Sequence, residues 1–160
     1  MSPQPEHQVV MEPGTETKPS DYEAVLRSLP MWFGQEDALL AYAQDAVNLK
    51  TFVATGTDGL LGFVTVKQHF AKSFEIHCMA VRASFRGQGL GRRLLHRASQ
   101  WATAQGGTIL LVKTLAPAHP SAAYAQTRAF YEAQDFEPLE VFPTLWSHTN
   151  PCLQMFKLLH

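Results

Sequence analysis

Val81-Arg82-Ala83-Ser84-Phe85-Arg86-Gly87-Gln88-Gly89-Leu90-Gly91-Arg92-Arg93-Leu94-Leu95-His96-Arg97 joins an apolar run to a basic helix through a turn with three glycines in five residues. Glycine has no Cβ, so such a turn takes positive φ without strain and brings backbone close to a ligand. A helix beginning near Gly89 points its unpaired N–H groups, and the positive end of its dipole, at whatever lies there. The ligand that suits this arrangement is an anion, and the turn reads as a cradle for a pyrophosphate.

The charge pattern supports the same reading. From Ile76 to Tyr131 the chain has no Asp or Glu, yet carries Arg82, Arg86, Arg92, Arg93, Arg97, Lys113 and Arg128. With a formal net charge of −1, a general nucleic-acid surface is disfavoured and a local site for a small polyanion fits better. Two better-known glycine loops fit worse. A P-loop ends in Gly-Lys-Ser/Thr, and the only Lys-Thr pairs, Lys50-Thr51 and Lys113-Thr114, lack the loop before them. A dinucleotide fingerprint needs Gly-x-Gly-x-x-Gly and an acid about 20 residues on, whereas Gly87-x-Gly89-x-Gly91 has another spacing and no acid follows before Glu132.

Outward from the turn, a strand is expected over about Ser73 to Val81. In the helix after it, Leu90, Leu94, Leu95, Ala98, Trp101 and Ala102 recur at three and four residues, the stripe of a core-facing helix. Gly106-Gly107 ends that helix, and the apolar run Thr108 to Lys113 reads as a buried strand. A fourth helix is expected over about Ala122 to Gln134, then strands at Glu137 to Phe142 and Cys152 to Leu158 joined by a loop over 143–151. Upstream, Ser20-Asp21-Tyr22-Glu23 reads as a capping box for a helix closed by Pro30. A second helix spans Gln35 to Val47, and a hairpin follows with Thr51 to Ala54 and Leu60 to Val66 about a Gly56-Thr57-Asp58-Gly59 turn. Residues 1–19 read as a mobile arm in which His7 to Met11 could pair as a short first strand, and 20–160 as one domain. A chain of 160 residues that is 46% hydrophobic buries roughly two-thirds of its unfolded surface. Cys78 and Cys152 lie in apolar runs and read as reduced packing residues, without a zinc spacing. With no secretory leader and no apolar run near the ~20 residues of a membrane span, a cytoplasmic location is expected, with no metal and no membrane partner.

Arg86-Gly87-Gln88-Gly89-Leu90-Gly91 meets the Gln/Arg-x-x-Gly-x-Gly/Ala signature of the GNAT superfamily of acyl-coenzyme A N-acyltransferases. The strand Phe74 to Val81 before it, the amphipathic helix after it, and Ala129-Phe130-Tyr131-Glu132-Ala133-Gln134-Asp135-Phe136 also resemble that family, so the likeness covers roughly residues 50 to 158. It implies an α/β (α+β) fold: one mixed, twisted sheet of about six or seven strands with about four helices on both faces. It implies acetyl-coenzyme A as cosubstrate, with its pyrophosphate on Arg86, Gly87, Gln88, Gly89, Leu90, Gly91 and Arg92. Backbone at Cys78, Met79, Ala80 and Val81 would then hydrogen-bond the pantetheine and orient the thioester carbonyl.

The resemblance places a catalytic Glu on this strand and a Tyr in the last helix. Glu75 sits in an otherwise apolar strand, a costly position unless its carboxylate is hydrogen-bonded or opens onto a cleft, and is the candidate base. His77 falls on the same face two residues on, with a reference pKa near 6.5 that suits proton relay. The ordinary alternative is that Glu75 forms a salt bridge and His77 is a satisfied core or edge residue. Tyr131 is the candidate acid, since a phenol of pKa about 10 can protonate a leaving thiolate; otherwise it is a packed aromatic. Two residues depart from the family pattern. Tyr124 stands where many relatives carry a coenzyme-contacting Asn, and Asp135 stands where Gly usually ends the helix, which implies an altered helix C-terminus.

By the same resemblance, Leu29 to Gly34 and Leu145 to His148 flank the acceptor, where Trp32, Phe33, Trp146 and His148 form an apolar or cation-attracting wall or are simply core aromatics. The acceptor expected is a small primary amine. Dimerisation through the sheet or the last strands is common in that superfamily. The function these readings converge on is direct acetyl transfer to an amine in a ternary complex. The alternative is a non-catalytic acyl-coenzyme A-binding sensor or regulatory module.

Overall fold

The structure, a computed structural model, describes residues 9–160. Its four helices and seven strands follow the order β1 (Val9–Met11), α1 (Pro19–Arg27), α2 (Glu36–Asn48), β2 (Lys50–Gly56), β3 (Gly59–Gln68), β4 (Ser73–Val81), α3 (Leu90–Ala104), β5 (Ile109–Leu115), α4 (Ala122–Ala133), β6 (Glu137–Ser147) and β7 (Asn150–Leu158). The strands form one mixed sheet in the order β1-β2-β3-β4-β5-β7-β6. Of the expected first strand, Val9 to Met11 pairs with β2, while His7 and Gln8 lie outside the described residues.

The chain forms two compact units. The first takes the chain up to Lys67 together with Cys78–Trp101. Here β2 and β3 pair antiparallel from Lys50 opposite Val66 to Gly56 opposite Gly59. Phe52, Val53 and Ala54 of β2 and Leu61, Phe63, Val64 and Val66 of β3 are all buried, because both faces of this part of the sheet are covered. Two hydroxyls buried with them are satisfied: Thr51 Oγ1 donates to the Ala46 carbonyl at 2.7 Å and lies 3.2 Å from Thr65 Oγ1. Gly62 lets β3 approach β4, since a Cβ there would stand 2.7 Å from the Ala80 carbonyl oxygen. On α3, Leu90, Leu94, Leu95, Ala98 and Ala102 are buried, as the stripe predicts, whereas Trp101 is half-buried. Burial of each leucine contributes about 1.5–3 kcal/mol.

The start of α1 differs from the expectation. Pro19 opens the helix and the Lys18 N–H donates to the Asp21 carboxylate at 2.8 Å, so Asp21 does the work assigned to Glu23 and the helix starts one residue before Ser20. Proline at the first helical position has no N–H to leave unpaired and its fixed φ suits the helix, which moves the boundary.

The second unit is Gln68–His77 with Ala102–His160. β4 runs parallel to β5, from Ser73 opposite Ile109 to Ile76 opposite Val112, and β5 pairs antiparallel with β7 from Ile109 opposite Leu158 to Leu115 opposite Cys152. Gly107 is buried close to the Phe74 ring, 2.7 Å from where its Cβ would stand. The expected loop over 143–151 is instead the tip of a long hairpin. β6 continues to Ser147 and β7 begins at Asn150, with a register irregularity between Phe142 and Ser147 that absorbs Pro143. Pro143 is tolerated because β6 is the edge strand.

Helix α4 begins at an N-cap, Ser121, whose Oγ accepts from the Tyr124 N–H at 3.2 Å. It ends in a Schellman motif: the Asp135 N–H donates to Glu132 O at 3.1 Å, the Phe136 N–H donates to Tyr131 O at 3.0 Å, and Asp135 has φ 70°. The Tyr131 and Phe136 rings, 5.4 Å apart and edge to face, supply the apolar contact that goes with this cap. The helix therefore ends as it would with glycine. Asp135 adopts the left-handed conformation, and the alteration expected from its presence does not occur.

Candidate functional site

Arg82 anchors the run into the glycine turn. Its N–H donates to Leu61 O and its Nε to Leu60 O, both at 2.7 Å. A single 3₁₀ turn, Ala83–Phe85, then leads to Arg86. Gly87 and Gly89 have φ of 79° and 83°, the left-handed conformation that glycine alone adopts freely. A Cβ at Gly87 would meet nothing within 4 Å, and one at Gly89 only Arg92 Nη2 at 3.9 Å, so the glycines serve backbone conformation and an open approach, not internal packing. Arg93 N–H donates to Gly89 O at 3.1 Å, which starts the helical ladder; the N–H groups of Leu90, Gly91 and Arg92 come before it, at the positive end of the dipole. Gly87, Gln88 and Arg92 are exposed.

Not all the cations of the acid-free stretch belong to this turn. Arg97 lies over Phe52 with 4.7 Å to the ring centroid, Arg128 donates to Leu115 O at 2.6 Å, and Lys113 is bonded to Glu75. Their positions in the sequence mark a region poor in acids, but four of the seven, with Arg82, hold the protein's own structure. Arg86 has its guanidinium 4.3 Å above the Trp32 ring. Before the turn, β4 alternates: Cys78 and Ala80 are buried, while Met79 and Val81 on the other face are half-buried. Both cysteines are buried and free. Burial pushes the Cys78 thiol well up, with Asp45 adding to it. Burial raises Cys152 to about 11, against the opposing charge of Lys113.

Glu75 is buried within the second unit and both carboxylate oxygens are engaged. Oε1 lies 2.6 Å from His69 Nε2, and Oε2 accepts from Lys113 Nζ at 2.6 Å. The β4–β5 register accounts for Lys113. Leu111 stands opposite Glu75, so Lys113 is the next residue on that face of β5 and its stem reaches back. His69 comes from the turn between β3 and β4, fixed by its N–H donating to Ser73 O at 2.9 Å. Burial by itself raises the carboxyl pKa, but the hydrogen bonds and charges of Lys113 and His69 outweigh it, and the net shift is downward. His77, two residues on, is half-buried and has its own interactions.

His69 and Lys113 were not singled out by sequence reasoning. The signal for Lys113 was present, a lone cation closing an apolar run, in a fold where a buried carboxylate on the neighbouring strand needs a partner. His69 carried none, because only the turn geometry brings it to Glu75.

Tyr131 is buried on α4, between the rings of Phe130 at 5.3 Å and Phe136 at 5.4 Å. Tyr124, two turns earlier, is half-buried, and both tyrosines have further interactions. The four aromatic candidates for the acceptor wall divide. In the first unit Trp32 and Phe33 pack on the core cluster of α1 and α2, Phe33 edge to face with Tyr42 at 5.9 Å. In the second, Trp146 and His148 are exposed at the tip of the β6–β7 hairpin.

A family model for the GNAT acetyltransferase domain matches residues 48–138, which are more than half of the chain and include the glycine turn, Glu75 and Tyr131. No curated protein matches the sequence. Solved structures do match the fold. A protein from Desulfovibrio desulfuricans assigned to the GNAT family is 18% identical with a TM-score of 0.81, over 96% of this chain and 99% of that one. An aminoglycoside 6'-N-acetyltransferase complexed with coenzyme A is 18% identical with a TM-score of 0.75, over 95% and 97%. A ribosomal-protein alanine N-acetyltransferase from Escherichia coli is 17% identical with a TM-score of 0.72, over 95% and 94%. At these identities the likeness is one of fold. Among the described residues, no helix is long and apolar enough to cross a membrane.

Proposed function

The chain belongs to the GNAT acetyltransferase family, and from that premise we propose that it moves the acetyl group of acetyl-coenzyme A directly to a primary amine of a small molecule, within a ternary complex. The observation that carries the reading is the Arg86–Gly91 turn, where two left-handed glycines open onto the N-terminus of α3. Donors at a helix N-terminus fit a pyrophosphate, and a fold relative is complexed with coenzyme A.

In this reading the N–H groups of Gly87 to Arg92 bind the pyrophosphate, and Arg86 and Arg92 add charge. Backbone at Cys78, Met79, Ala80 and Val81 orients the arm that ends in the thioester, and a backbone donor there stabilises charge developing on the carbonyl oxygen. Glu75, with His77 on the same face, removes a proton from the amine. As the N–C bond forms and the C–S bond breaks, Tyr131 donates its hydroxyl proton to the departing sulfur. Tyr124 is assigned to the coenzyme side, and Trp32, Phe33, Trp146 and His148 to the acceptor side. The fold relatives include enzymes named for an aminoglycoside and for a ribosomal protein, and the small-molecule amine is the acceptor of the first kind.

A second reading, a non-catalytic acyl-coenzyme A-binding module, is favoured by one observation: Lys113 and His69 already occupy both oxygens of Glu75, which weakens it as a base. Calorimetric titration with acetyl-coenzyme A, followed by thiol release over a panel of primary amines, decides between the two. Binding with release on some amine supports the enzyme. Binding with no release, on small amines and peptides alike, supports the sensor. No binding overturns the reading of the turn.

A further inference from the structure

His69, Glu75 and Lys113 form a hydrogen-bonded chain that is sealed at its centre and open at its ends. The Glu75 side chain is 7% exposed, while His69 and Lys113 are 32% and 29% exposed. A carboxylate meant only to be neutralised needs one cation, and Lys113 supplies it. The second short contact, from Oε1 to His69 Nε2 at 2.6 Å, adds an imidazole, whose two ring nitrogens can each take or give a proton, and it reaches water.

We propose that His69 is the outlet of a proton relay, in which Glu75 collects the proton of the acceptor amine and His69 delivers it to solvent. The inference rests on the acetyl-transfer reading of the same site. A carboxylate that both stays buried and turns over must lose each proton it gains before the next amine arrives. Lys113 cannot take it, being already protonated and bonded through Nζ. His69 can. At rest Nε2–H donates to the Glu75 carboxylate. Once Glu75 holds the amine's proton, the partly exposed ring exchanges with water to the tautomer with its hydrogen on Nδ1, Nε2 takes the proton from the carboxyl group, and the imidazolium loses the Nδ1 hydrogen to water, which restores the Nε2–H tautomer. Glu75 ends as the carboxylate, one proton has moved from ammonium to bulk water, and no charge is left behind. Lys113 sets the direction of this flow, because its hydrogen bond and charge hold Glu75 below the usual carboxylate range and press it to give the proton up. The titratable groups around the relay are Glu75 and His77 on one face of β4, Lys113 on β5, Cys152 on β7, which senses both Lys113 and Glu75, and Lys72 in the turn itself.

The test compares wild type with His69→Gln, whose amide can still donate to Glu75 but cannot take up and release a proton, and with His69→Ala assayed with and without added imidazole. Circular dichroism melts establish that each variant is folded, and acetyl-coenzyme A affinity is titrated in all three. The relay predicts at least a tenfold fall in kcat at neutral pH in His69→Gln with coenzyme affinity unchanged. It also predicts loss of the acid limb of the wild-type pH profile, and a His69→Ala rate that rises with imidazole but not with sodium chloride of equal ionic strength. Turnover of His69→Gln within twofold of wild type with the same profile overturns it, and so does a loss in His69→Ala that imidazole does not restore. If the wild type fails to bind acetyl-coenzyme A, the fault lies in the reading of the glycine turn; intact binding with these contrary kinetics condemns the relay alone.

Discussion

Asp135→Gly should stabilise the protein. Asp135 has φ 70° as the C′ residue of α4, the one non-glycine residue with positive φ among those described. An L-residue in that conformation costs about 1–2 kcal/mol, less for Asp and Asn than for others. A carboxylate at the C-terminal end of a helix also opposes the dipole, by about 0.3–1 kcal/mol. Against these gains stands the extra freedom glycine brings to the unfolded chain, about 0.4–1 kcal/mol. Gain and loss leave a net stabilisation of about 1 kcal/mol, which in a chain of this size raises Tm by about 2–4 °C. Thermal melts followed by circular dichroism measure it, with Asp135→Asn separating charge from conformation and Asp135→Ala exposing the strain without relief. The expected order of stability is Gly, Asn, Asp, Ala. The Schellman bonds to Tyr131 O and Glu132 O are main-chain bonds, so coenzyme affinity should not change. A glycine variant that melts at or below wild type would mean that Asp135 makes a compensating interaction, and would refute the reasoning.

Gly89→Glu combines a left-handed φ with a carboxylate at the anion site and should abolish acetyl-coenzyme A binding while the fold survives; unchanged affinity in calorimetry would remove the turn from the coenzyme site. Trp32→Ala releases Arg86 from the ring on which it lies and should weaken coenzyme binding several-fold, whereas Trp32→Phe, which keeps a face for the guanidinium, should not. Tyr131→Phe should lower kcat far more than coenzyme affinity, and equal effects on both would make Tyr131 a packing residue. Lys113→Met leaves a buried carboxylate without its cation and should cost about 3–5 kcal/mol in denaturant unfolding. The pH dependence follows from the downward shift of Glu75. Its contribution is present above the unfolded carboxyl pKa and fades as pH falls through the lower folded value, and Lys113→Met, which leaves only His69 to hold the carboxylate ionised, should weaken that acid dependence.

The elements that repeat a pattern were legible in the sequence. β4 falls where the apolar run puts it, α3 buries its stripe from Leu90 to Ala102 except for the half-buried Trp101, and Gly87 and Gly89 take the positive φ expected of the turn, while Gly91 is already part of the helix. Each depends on local periodicity or on a residue with one conformational use. What was missed depends on pairing at a distance. The hairpin tip at 148–149 was hidden because Pro143 and the Ser147-His148-Thr149-Asn150 stretch carry loop chemistry, and only an edge position admits the proline into a strand. Arg97 and Arg128 look like coenzyme ligands by charge, yet face Phe52 and Leu115 O. A cation's sequence neighbours do not reveal which carbonyl or ring it will cover.

The same limit bears on the candidate base. A lone Glu in an apolar strand is compatible with two opposite states, a carboxyl neutralised by burial with a raised pKa, or a carboxylate held ionised by a partner. The choice is made on another strand. Because β4 and β5 are parallel with Leu111 opposite Glu75, position 113 is the first on that face of β5 from which a long side chain can reach back to the carboxylate. With Lys there, Glu75 keeps its charge and loses basicity. A proton acceptor made weaker in this way gives its proton up readily, and on the relay reading the group that receives it is His69, which the β3–β4 turn delivers to the second carboxylate oxygen.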